Sequence, residues 1–135
     1  PYSILPIEKE KLVVEKVYAE LFTPYGLRSL SPKDPEFKSS YGGSLWNRDK
    51  AYHQGTVWAF PLGAYYLSYL KVHAYSEESK IKVRRDLELL EGTLQEGCLG
   101  QIAEIFDGLE PDVSKGCFAQ AWSVGELLRA VKAAE

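Results

Sequence analysis

The chain has 135 residues, 45% of them hydrophobic, and a formal charge of -3. That is enough apolar material for one core and too much for a disordered linker. No basic stripe is present, no secretory signal pattern opens the chain, and no run reaches the roughly eighteen apolar residues of a membrane span. Nucleic acid and membrane are therefore not expected as partners. The chain opens at Pro1 and contains no Met, which reads as a piece of a longer or processed protein. Cys98 and Cys117 are too few for a disulfide framework and read as ordinary thiols of a cytoplasmic protein, with a single bridge between them allowed but not demanded. With His53 and His73 they have no zinc spacing, so neither metal nor cofactor is expected.

In chain order, Pro6 precedes a predicted helix over 7–22. Val13, Val17 and Leu21 form one stripe, with Val14, Tyr18 and Phe22 beside it. Lys9 and Lys16 alternate with Glu8, Glu10 and Glu15, which reads as a solvated face. Pro24 and Gly26 end this helix. Residues 23–55 read as one long loop, uncommon in a compact domain unless functional or disordered. The loop carries Tyr41-Gly42-Gly43 and ends in Trp46, Asn47, Arg48, Asp49, Tyr52 and His53. A plain linker has no need of so many large and hydrogen-bonding side chains.

The second helix is expected over 56–72 with Thr56 as N-cap. It has almost no polar face, so it should be surrounded by protein. Pro61 in its first turns implies a kink or a late start. The third helix is expected over 77–94 on a stripe of Val83, Leu87, Leu90 and Leu94, closed by Gly97 and Gly100. A second loop follows over 97–118. The fourth helix is expected over 119–134, with Ala121, Val124, Leu128 and Val131 on one side. Ile102 to Phe106 is the one short strand candidate. The pattern predicts an all-α chain. A closed four-helix bundle is one solution. Helical hairpins stacked as part of a larger toroid suit the long loops and the apolar 56–72 helix better.

Three segments could carry chemistry. Glu104 lies in Gln101-Ile102-Ala103-Glu104-Ile105-Phe106-Asp107-Gly108. A carboxylate in a pocket can act as a general base on water. The bland alternative is a loop glutamate making a cap or surface contact. Tyr52-His53-Gln54-Gly55-Thr56-Val57-Trp58 sets two aromatics, an imidazole and an amide at a helix start. Sugars are bound by such sets, with ring faces on aromatics and hydroxyls on planar polar groups. The alternative is a satisfied histidine with Trp58 in the core. In Cys117-Phe118-Ala119-Gln120-Ala121-Trp122, Gln120 either faces a ligand or caps the helix, and Trp122 is at least partly core. No Gly-x-Ser-x-Gly, phosphate loop or His-Glu-x-x-His motif occurs.

Taken together, Gly26-Leu27-Arg28-Ser29-Leu30, Tyr52 to Trp58, Glu104-Ile105-Phe106-Asp107-Gly108 and Gly116 to Val124 resemble the C-terminal part of the amylo-alpha-1,6-glucosidase domain of glycogen debranching enzymes. The resemblance runs through residues 26–129. It implies a six-hairpin glycosidase. Residues 1–135 would be a single fragment of its catalytic domain, the C-terminal portion of an (α/α)6 toroid with about four to five helices and long loops. It implies hydrolysis of alpha-1,6 glucose stubs in glycogen-like glucans by an inverting route. Glu104 matches the general base. Tyr52 and His53 match the substrate pocket, Arg48, Trp58, Gln120 and Trp122 fall in segments that line or support it, and Asp107 is placed to orient a loop.

An inverting site needs two carboxyls about 6.5–9.5 Å apart. The family's general acid comes from an upstream segment and matches no residue here. Asp49 is a tempting stand-in but sits in the wrong motif. The chain alone is therefore expected to be inactive, to partner the remainder of its catalytic domain, and to self-associate through exposed helix flanks. The competing readings are a non-catalytic carbohydrate-binding or structural module, and a helical protein-interaction domain with the 23–55 loop as its epitope.

Overall fold

In a computed structural model, residues 3–96, 98–111 and 113–135 are described. They form five α-helices and five short strands: α1 (Ile7–Leu21), β1 (Phe22–Thr23), β2 (Gly26–Arg28), α2 (Leu45–Ala51), β3 (Val57–Trp58), α3 (Phe60–Val72), α4 (Glu77–Glu88), a 3-10 turn (Glu91–Gln95), β4 (Ile105–Phe106), β5 (Ser114–Lys115) and α5 (Ala121–Ala134). The all-α expectation, and with it the (α/α)6 toroid portion, is corrected by the sheet. The strands pair in the order β1-β2-β3-β4-β5, every pair antiparallel, so the chain is a mixed α/β structure. Strands of two or three residues are too short to show alternation. Val57–Trp58 runs on into the apolar residues of α3, and so resembles the start of that helix.

Most helix boundaries follow from local chemistry. In α1, Glu8 and Glu10 stand in the first turn, where the helix dipole favours acid. Val14 is buried, whereas Val13 and Tyr18 are exposed. Helix α2 interrupts the long loop. It opens at Ser44, whose Oγ accepts the Asn47 N–H at 3.3 Å. Two turns give no helical period to read, so the pattern misses it. Helix α3 starts late, at Phe60, with Pro61 in its first turn, where a missing N–H costs nothing. Thr56 is not its cap. The Thr56 hydroxyl instead donates to Tyr52 O at 2.6 Å, ahead of β3. Helix α4 is capped by Ser76 and stops at Glu88, short of the expected 94, and the chain continues in the 3-10 turn. The expected stop at Gly97 lies outside the described residues, as does Asp112 in the second loop.

Helix α3 is the centre of the molecule, against α5, α1, α4 and β2. Its Leu62, Tyr66 and Leu70 are fully buried, each stabilising the fold by about 1.5–3 kcal/mol. Ala64 and Ser68 are its exposed positions, so its flank is mostly covered within the chain. Helix α5 comes close enough that a Cβ on Gly63 would stand 2.3 Å from Glu126 O. That approach selects small residues on α5, and its buried stripe is Ser123, Leu127, Ala130 and Ala134. The expected stripe is offset, with Leu128 61% and Val131 43% exposed. Exposed apolar flanks therefore lie on α1 and α5. Among the described residues no helix is long and apolar enough to cross a membrane.

The sheet positions the site. Ile105 pairs with Trp58 on one side and Lys115 on the other. Glu104 and Gly116 thus lie side by side where β4 begins and β5 ends.

Candidate functional site

Glu104 is half-buried and sits at the meeting of three segments. Its main chain is pinned, since the Glu104 N–H donates to Cys117 O at 2.9 Å. Its carboxylate accepts three hydrogen bonds. The Tyr52 hydroxyl donates to Oε1 at 2.5 Å, the Gln120 amide donates to Oε1 at 3.0 Å, and the Cys117 N–H donates to Oε2 at 3.1 Å. An ionised carboxylate offers about four acceptor positions. Among the described residues, one position on Oε2 is left for water or a sugar hydroxyl.

Each partner is delivered by its local structure. Tyr52 closes α2 and accepts on its carbonyl both the Thr56 hydroxyl and the Trp58 indole N–H, the latter at 3.0 Å. Its phenol is pushed up to about 12, first by burial and then by its bond to Glu104. It therefore stays a donor across the physiological range. Gln120 precedes α5 in an extended conformation and makes no side-chain cap. Its N–H donates to Ile102 O at 2.9 Å, which leaves the amide for Glu104. Gly116 has φ +70°, and a Cβ there would stand 2.5 Å from Glu104 Oε2. Only glycine suits both the left-handed backbone and the nearby carboxylate.

These groups floor an open cleft of about 350 Å³, lined by Tyr41, Arg48, Asp49, Tyr52, Glu104, Gly116 and Cys117. The structure brings Glu104, Tyr52, Arg48 and Gln120 together at or beside the cleft. The other expected residues stand around it. His53 is exposed and stacks parallel on Trp58 at 5.1 Å. Trp58 is buried and supports Tyr52 edge-on at 4.7 Å. Trp122 is 49% exposed and stacks on Phe60 at 4.3 Å, outside the cleft wall. Asp107 is engaged by Ser40, the Tyr41 N–H and Lys115.

Tyr41, Gly116 and Cys117 were not singled out from sequence as site residues. The Gly42-Gly43 pair beside Tyr41, and the place of Gly116 and Cys117 inside a recognised motif, were the available signals. Asp49, set aside because of its motif, stands on the cleft wall. Cys98 and Cys117 are free thiols. Among the described residues, no three His, Cys, Asp or Glu side chains are grouped to hold a metal ion.

A comparison with curated proteins finds none that matches the chain. A comparison with protein families matches residues 1–129 to the family described as amylo-alpha-1,6-glucosidase. That span takes in the Glu104 cleft and all but the last residues of α5. The chain belongs to the amylo-alpha-1,6-glucosidase family, the glycosidases of debranching enzymes.

Proposed function

We propose that the Glu104 cleft receives the alpha-1,6-linked glucose stub of a branched, glycogen-like glucan, and that Glu104 acts as general base on water in an inverting hydrolysis. The observation that supports this most is the carboxylate itself, which lines the cleft and is held by three donors with one acceptor position left on Oε2. Tyr52 and Gln120 both load Oε1, so Oε2 is the oxygen left to take a proton from water. Arg48 and His53 are assigned to sugar hydroxyls. Trp58 is assigned to packing behind Tyr52, Trp122 to support of the pocket from outside its wall, and Asp107 to the orientation of a neighbouring loop.

The general acid is assigned to the remainder of the catalytic domain, outside residues 1–135. In this reading the chain by itself binds a cytoplasmic glucan without cleaving it, and its exposed α1 and α5 flanks favour association with that remainder or with a second copy. The test is a limit dextrin titrated into the purified chain, followed by tryptophan fluorescence, with glucose release measured alongside. Binding is expected, weakened about tenfold or more in Glu104→Gln, with no glucose above the level of that variant. No binding would overturn the glucan reading. Binding indifferent to Glu104→Gln would favour the non-catalytic carbohydrate-binding module instead. Glucose release by the chain alone would place the acid within it, and its loss in Asp49→Asn would identify the residue.

A further inference from the structure

Tyr41 belongs to a surface loop, where main-chain groups ordinarily turn to water. Here both of its main-chain groups are taken by side chains of opposite charge. Asp107 Oδ1 accepts the Tyr41 N–H at 2.7 Å, and Lys115 Nζ donates to Tyr41 O at 3.1 Å. Lys115 also pairs with Asp107 Oδ2 at 2.5 Å, across the β4–β5 turn, and the Ser40 hydroxyl donates to the same oxygen at 3.2 Å. The loop is stitched down once more by the Gly108 N–H, which donates to Ser39 O at 2.9 Å.

An exposed ion pair would be worth little. This one is mostly buried, with 28% and 17% of the side chains accessible, and its hydrogen bonds to backbone are charge-assisted. Its product is the position of one ring. Tyr41 lines the cleft with its centroid 5.8 Å from that of Tyr52, which binds Glu104.

We propose that Lys115 is a positioning residue which, clasped to Asp107, holds Tyr41 as a wall of the cleft and so sets the fit of the glucose stub. The inference rests on the glucan reading of the Glu104 cleft for its ligand, but not for its geometry. Lys115 touches no substrate in this arrangement and acts through Tyr41 alone.

Two measurements on the whole chain test it. The first is limit-dextrin affinity in Lys115→Met, Lys115→Arg, Tyr41→Ala and the double variant Tyr41→Ala/Lys115→Met. Lys115→Met is expected to weaken binding about tenfold, and Lys115→Arg to recover most of it. Once Tyr41 is truncated, Lys115→Met should cost less than about twofold, which a general structural role would not produce. The second needs no sugar: a nuclear Overhauser contact between the Tyr41 and Tyr52 rings, expected in the parent chain and in Lys115→Arg and lost in Lys115→Met. Asp107→Asn replaces Lys115→Met in both if the latter does not fold. An undiminished ring contact, or an equal loss of affinity with and without the Tyr41 ring, would overturn the proposal. If the parent chain binds no dextrin, the glucan reading falls while the ring contact still decides the clasp.

Discussion

Two concavities on this chain differ in what they can do. The Glu104 cleft, at about 350 Å³, is the smaller. A groove of about 510 Å³ runs between α4, the 3-10 turn and α5, with Leu87, Leu90, Leu94, Ile102, Leu127 and Leu128 among its walls. The groove is roomy and mostly apolar; Arg84, Glu88 and Glu91 also line it, but among the described residues no set of donors gathers on either carboxylate. The cleft gathers a carboxylate, a phenol, an amide and a main-chain N–H within hydrogen-bonding distance. Volume marks where packing is incomplete, whereas convergence of donors on one carboxylate marks a candidate site. The two regions should therefore respond to substitution in opposite ways.

The largest effect on stability belongs to the groove side. Leu127 is 6% exposed and shared between the groove and the core. Leu127→Ala should cost about 2–5 kcal/mol in chemical denaturation, with dextrin affinity unchanged wherever the protein remains folded. A matching loss of affinity would erase the contrast. In the cleft, Gly116→Ala combines a left-handed backbone with a Cβ aimed at Glu104 Oε2. It should cost about 1–3 kcal/mol and also displace the carboxylate, so affinity falls further than the same loss of stability produces at Leu127.

Tyr52 supplies a pH signature. With its phenol pushed up to about 12 by burial and then by Glu104, the folded chain holds this proton more tightly than the unfolded one does. Its contribution to stability is complete below the ordinary tyrosine value of about 10 and is lost as pH rises from there to about 12. The tyrosinate absorbance titration of the parent chain minus that of Tyr52→Phe should show this late ionisation. In Glu104→Gln it should come earlier, though not fully back to the ordinary value, because burial remains. A Tyr52 titration indifferent to Glu104 would break the coupling on which the site is built. The smallest effect is expected at Leu128, 61% exposed on α5. Leu128→Lys should move stability by no more than about 0.5 kcal/mol and reduce self-association in light scattering. A large destabilisation there would show that the flank is already covered.

The residues that meet at the Glu104 cleft were more legible than the frame that holds them. Glu104, Tyr52, Arg48 and Gln120 stood in short motifs whose residue types announce hydrogen bonding. Of the sheet only β4 was legible, within the 102–106 candidate, because each strand spans two or three residues and its period never completes. Helix α2 was hidden for the same reason, although Ser44 capping Asn47 was a fair local signal. The buried stripe of α5 was misread because hydrophobicity was followed where close approach decided. With Gly63 close against the Glu126 backbone, the buried face of α5 is Ser123, Leu127, Ala130 and Ala134, and Leu128 faces out.

By itself, the sequence determined the approximate placing of α1, α3, α4 and α5, the kink or late start that Pro61 implies, and the family to which the chain belongs. These depend on periodicity, capping and motif, all of which act over a few residues. Only the tertiary structure decided that β3, β4 and β5 pair. That pairing sets Glu104 beside Gly116, with Tyr52 and Gln120 converging on its carboxylate and Tyr41 gripped by Asp107 and Lys115. Tyr52 and Glu104 are 52 positions apart in the chain, as Tyr41 and Lys115 are 74 apart. A contact at such separation has no local signature, and it arises because the sheet register leaves these groups within reach of one another.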